Sequence, residues 1–72
     1  MTNLVKRSFS LAGHRTSVAL EAEFWAVLTA IAATNHQRLA AFVAGLDSAR
    51  DPDRPLASLL RVHALLNKPA DN

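Results

Sequence analysis

Lys6, Arg7 and Arg15 are the charged side chains of residues 1–20, and no acid accompanies them. Further on, Arg38 and Arg50 face Glu21, Glu23 and Asp47, and residues 51–72 balance, so a formal net charge of +2 conceals a positive N-terminal end. Such a field suits a polyanion, either nucleic acid or an anionic membrane surface. Other chemistries fare worse. His14, His36 and His63 lie in three different segments, with no i, i+4 pair and no cysteine beside them, so no metal site is expected. Serine, histidine and aspartate all occur, but no segment brings nucleophile, base and orienting group together, and no catalytic residue or cofactor is expected. A chain of 72 residues is also too short to enclose a substrate pocket of about 300 Å³ or more and keep a core around it. A binding module is expected in place of an enzyme.

The elements that must carry these charges follow from periodicity. In Arg15-Thr16-Ser17-Val18-Ala19-Leu20, an extended backbone sends Thr16, Val18 and Leu20 to one side and Arg15, Ser17 and Ala19 to the other. Upstream, Val5, Arg7, Phe9 and Leu11 share one parity, and Lys6, Ser8 and Ser10 the other. Residues 1–14 are therefore an N-terminal arm or an extra strand, and the alternation favours a packed Phe9. From Glu21 the period changes. Phe24, Val27, Leu28 and Ile31 give a helix to about Thr34, with Glu21 and Glu23 in its dipole-favoured first turn. Asn35 is the expected left-handed terminator. Leu39, Phe42, Val43 and Leu46 repeat the spacing and give a second helix from about Gln37 to Arg50, in which Gly45 marks close approach or local weakness. Asp51-Pro52-Asp53-Arg54-Pro55 is a turn at 51–55. Leu56, Leu59, Leu60, Val62, Leu65 and Leu66 then predict a C-terminal helix over 56–68, with a frayed tail at 69–72. Trp25 is expected to pack in the core or at the dimer interface, His36 to sit in the connection between the first two helices, and His63 falls near the apolar stripe of the third.

Half of the residues are apolar, so the chain should fold, yet neither disulfide nor metal is there to reinforce so small a core. Association with a second copy is the expected remedy. Val18 and Leu20 lack an evident apolar partner in their own chain, and a strand pairing antiparallel with its copy over four helices would bury them. Phe24, Leu28 and Phe42 join them in the expected dimer core. The resulting two-stranded ribbon has the dimensions of the DNA major groove. No run of about 18 apolar residues crosses a bilayer. Ser8 to His14 does not continue Lys6 and Arg7 as a secretory signal would, and with no cysteine the expected location is cytoplasmic.

The runs Lys6-Arg7-Ser8-Phe9, Gly13-His14-Arg15-Thr16-Ser17-Val18, Leu20-Glu21 and Phe24-Trp25 resemble the ribbon-helix-helix family, in particular its short stand-alone bacterial branch. Leu39-Ala40-Ala41-Phe42-Val43 with Asp47 and Arg50, and Leu56-Ala57-Ser58 with Leu60-Arg61-Val62, extend the resemblance over about residues 6–66. It implies a mostly α fold: one short strand per chain pairing across a homodimer, two core helices within 15–50, and a third C-terminal helix. It also implies duplex DNA binding by a small transcriptional repressor or autoregulator. Carried over by position, the base readers are Arg15, Ser17 and Ala19, where Ala19 replaces the longer polar reader common in relatives and offers an apolar contact. Gln37 and Arg38 stand near the usual serine or threonine cap of the second helix, so a phosphate there would rest on backbone N–H groups and the Arg38 charge. Lys6, Arg7 and His14 are further phosphate candidates. The competing reading is a protein-interaction module on the same dimer, an adaptor, antitoxin or inhibitor, with the C-terminal helix as the partner surface.

Overall fold

The computed structural model describes residues 3–69. Apart from Pro69, the expected frayed tail lies outside them. The order is β1 (Leu4–Leu11), β2 (His14–Glu21), α1 (Ala22–Thr34), α2 (Leu39–Ser48) and α3 (Leu56–Asn67).

The upstream segment is a second strand. β1 and β2 form an antiparallel hairpin within one chain, joined by Ala12 and Gly13. Their φ values of 52° and 81° are both left-handed, as a type I′ turn requires, and such a turn matches the natural twist of two paired strands. Glycine adopts this backbone freely, whereas Ala12 does so at a cost.

Directly opposed residues of such a pair share a face of the sheet. Phe9 and Leu11 of β1 therefore join Val18 and Leu20 of β2, and all four are buried. The helices cover this face: α2 lies against β1, and α1 and α3 against β2. Trp25, Leu28, Ile31 and Ala32 of α1, Phe42 and Val43 of α2, and Leu60 and Ala64 of α3 complete the core. Phe9 meets Trp25 with ring centroids 5.8 Å apart. The Trp25 indole Nε1 donates to the Val5 carbonyl at 2.8 Å, so its buried polar atom is satisfied.

Val18 and Leu20 thus find apolar partners in their own chain, contrary to the expectation that they need a second copy. The hairpin supplies what a partner strand was expected to supply. Leu28 and Phe42 are likewise buried within one chain. Phe24 is half-buried, with the Arg61 guanidinium 5.9 Å above its ring.

Local hydrogen bonds fix the connections. α1 ends in a Schellman arrangement, with Gln37 N–H donating to Ala32 O at 2.8 Å and His36 N–H to Ala33 O at 3.0 Å. The left-handed residue is His36 (φ 57°) and not Asn35 (φ −90°): the helix ends at Thr34 as expected, Asn35 is its C-cap, and the Schellman pattern places the left-handed residue one position after the cap. Beyond α2, Arg50 binds Asp47 at 3.1 Å and donates to the Arg54 carbonyl at 2.6 Å, while the Asp51 carboxylate accepts from Asp53 N–H. These bonds hold the turn that leads into α3.

Gly45 serves no close approach, since a Cβ built there meets nothing within 4 Å. Gly45→Ala should therefore stabilise the chain by up to about 1 kcal/mol, raising the thermal midpoint by roughly 4–8 °C. A lowered midpoint in a melting experiment would mean that this surface is covered in solution.

Candidate nucleic-acid interface

The other face of the hairpin carries no helix. Its successive cross-strand rows are Lys6 with Ala19, Ser8 with Ser17, and Ser10 with Arg15. Ala19 is half-buried and the rest are exposed. The period of two dictates this: core residues occupy odd positions of β1 and even positions of β2, so the polar residues between them must point outward. Ser8 and Ser17 hydroxyls lie 3.0 Å apart and form a hydrogen bond in the middle of the face. A cation stands at each end, on opposite strands and facing a small residue.

The acid of the hairpin is Glu21, opposite Leu4 at the end of the ladder. Its carboxylate accepts from Arg61 Nε of α3 at 3.1 Å. Its carboxyl is held below the usual value, first by its own backbone N–H and then by Arg61, against a partial loss of hydration. Glu21 is also the N-cap residue of α1, without a side-chain cap bond, which leaves its carboxylate to α3. The polar face between Lys6 and Arg15 is thus free of negative side chains.

Of the cations and polar residues assigned from sequence, the hairpin brings Lys6, Arg15 and Ser17 to one face, together with Ala19. Arg7 belongs to the opposite face, with its guanidinium 5.5 Å from the centre of the Trp25 ring, a cation–π arrangement. His14 sits beside the turn, paired with Leu11, and is exposed. Gln37 and Arg38 are exposed just before α2. Arg38 is its N-cap residue, with extended backbone (φ −74°, ψ 152°), no side-chain cap bond and no acid in the first turn. The first N–H groups of α2 therefore keep their capacity to bind an anion. Sequence reasoning passed over Ser8 and Ser10 as partners of Ser17 and Arg15. Their parity was the available signal, and it becomes decisive only once the register is known.

The histidines are dispersed. His63 meets the edge of Phe42 at 5.4 Å between centroids, His36 is in the turn after α1, and His14 is at the hairpin tip. Among the described residues, no group of three histidine, cysteine or carboxylate side chains could hold a metal ion. No described helix is long and apolar enough to cross a membrane.

A family model described as a ribbon-helix-helix domain matches residues 4–67. Comparison with curated proteins gave no match. Among solved structures, the chain is similar to an uncharacterized protein from Bordetella pertussis Tohama I, with a TM-score of 0.75 and 33% sequence identity. The likeness covers 88% of this chain and 54% of that one, so the chain spans about half the length of its structural neighbour.

Proposed function

This chain belongs to the ribbon-helix-helix domain family, whose members are typically DNA-binding regulators of transcription, and from that premise we propose that it binds duplex DNA in a sequence-specific manner as a homodimer. Occupancy of an operator would block transcription, so the biological role is that of a small repressor or autoregulator. The observation that carries the reading is the outer hairpin face, where Arg15 and Ser17 stand exposed on a two-stranded ribbon with no acid between Lys6 and Arg15.

Arg15 has the donors for a guanine edge, Ser17 pairs with donors or acceptors, and Ala19 offers apolar contact to a thymine methyl. Backbone N–H groups at the start of α2, with Gln37 and Arg38 beside them, would hold a phosphate and set the register. His14, at the hairpin tip, would add a phosphate contact at the margin, whereas Arg7, expected from the sequence to do the same, lies on the other face over Trp25. The homodimer draws support from the family and from apolar surface left on one chain: Leu4, Val5, Val62, Leu65 and Leu66 are all exposed. Sedimentation at micromolar concentration should give twice the mass of one chain, and a monomer would remove this part of the proposal.

Arg15→Ala should weaken binding to a selected site by about 1–3 kcal/mol per half-site and relax base preference there, with an unchanged circular dichroism spectrum. Equal affinity of variant and wild type in a gel shift would show that Arg15 reads nothing. A second reading, a protein-interaction module, draws on α3, where Leu65 and Leu66 are 73% and 75% exposed. It gains if the purified protein prefers no duplex.

A further inference from the structure

An open cleft of about 290 Å³ runs between β1 and the first turns of α1, lined by Val5, Arg7, Ala22, Trp25, Ala26 and Thr29. We propose that it binds a small carboxylate with an apolar body, the carboxylate pairing with Arg7 and the body lying over Val5, Ala22 and Ala26. The cleft is on the helix side of the hairpin, so it goes beyond the DNA reading, which rests on the other face.

Spacing makes the helical wall. Ala22, Trp25, Ala26 and Thr29 fall at i, i+3, i+4 and i+7 and share one face of α1, where the two alanines leave a hollow beside the indole. Ala22, Ala26 and Thr29 are exposed, and the lining comes from β1 and α1 alone. The polar side chains of this wall are already engaged, since the Trp25 indole donates to the Val5 carbonyl and the Thr29 hydroxyl to the Trp25 carbonyl, each at 2.8 Å. Arg7 is the exception. No carboxylate among the described residues pairs with it: Glu21 is bound to Arg61, and Glu23 lines the groove between α1 and α3. The Trp25 ring, its centre 5.5 Å from the guanidinium carbon, holds the cation at the cleft electrostatically. Its N–H donors stay available to a carboxylate, whose two oxygens match the guanidinium fork. One fixed charge beside an apolar hollow is the usual composition of a small-ligand site. A DNA phosphate would use the charge and not the hollow, and a neutral apolar ligand the hollow and not the charge. The indole also occupies the Val5 carbonyl, so a strand of a second copy laid along β1 would find that acceptor taken. The cleft should therefore stay open in the homodimer.

The test uses the full chain, whose single tryptophan is Trp25, so its emission reports on the cleft without a label. Sodium 3-phenylpropionate at pH 7 should shift that emission saturably, and calorimetry should give one site per chain. Acetate, which lacks the apolar body, and 3-phenylpropionamide, which lacks the charge, should each bind at least about 10-fold more weakly, the factor expected for a hydrogen bond to a charged group. Arg7→Gln should lose about 10- to 100-fold in affinity for 3-phenylpropionate with an unchanged circular dichroism spectrum. Ala26→Leu keeps Arg7, suits an exposed helical position and fills the hollow, and it should weaken binding by at least about 10-fold. Equal binding of acetate would reduce Arg7 to a plain surface cation, and equal binding of the amide would leave it no part in recognition; either result overturns the proposal. So does the absence of any saturable response to 3-phenylpropionate, or full affinity in Ala26→Leu.

Discussion

Leu20→Asp should abolish the cooperative melting transition. Leu20 is completely buried beneath the helices, and its cross-strand partner Val5 offers a carboxylate nothing. An unpaired charge in such a place costs several kcal/mol. A domain of this size has about 4–11 kcal/mol of stability in all, at 0.05–0.15 kcal/mol per residue. Val18→Asp should be the milder change, although Val18 too is buried, because Arg7 stands directly opposite and can pair with the new carboxylate. The comparison is read from far-ultraviolet circular dichroism and thermal melting of both variants. If Leu20→Asp melts cooperatively at the wild-type temperature, the sheet face assigned to the core is wrong, and the outward face with it.

Phe9→Ala should cost about 3–5 kcal/mol, the usual range for removing a buried aromatic side chain. Phe9 is 6% exposed and packs on Trp25, so the cavity would open beside the largest side chain of the core. Deleting residues 1–11 should be worse still. It removes Phe9 and Leu11, strips β2 of its ladder partner, and takes away the Val5 carbonyl that satisfies the Trp25 indole. The truncated chain should be unfolded at room temperature. A truncated protein with an unchanged melting curve would show that β1 is a dispensable arm.

The helices were legible because their signal is local: Phe24, Val27, Leu28 and Ile31 mark α1, and Leu39, Phe42, Val43 and Leu46 mark α2, at spacings that only a helix brings to one side. The alternation of Arg15 to Leu20 likewise separated Val18 and Leu20 from Arg15 and Ser17. Residues 4–11 alternate just as well, but an alternating segment does not say what it pairs with. The usual hairpin dipeptides have asparagine, aspartate or glycine before the glycine, and Ala12 in that place weakens the signal for a turn that nonetheless has two left-handed residues. From this one ambiguity came the expectation that Val18 and Leu20 must be buried by a second copy. The grouping of Lys6 with Arg7 came from charge, although adjacent strand residues must point to opposite faces. The Glu21–Arg61 pair, joining residues 40 apart in the chain, leaves no local trace at all.

The outward hairpin face is the centre of this account, and selection from a random pool of duplexes tests it most directly. Wild-type protein, incubated with the pool and recovered by gel shift, should enrich one sequence with two related halves, since two copies related by a two-fold axis read inverted half-sites. Binding to that sequence should exceed binding to the starting pool by at least about 1,000-fold and should weaken steeply as salt rises. A pool that stays random after repeated rounds, with equal affinity for every duplex, would contradict the claim that this face reads DNA.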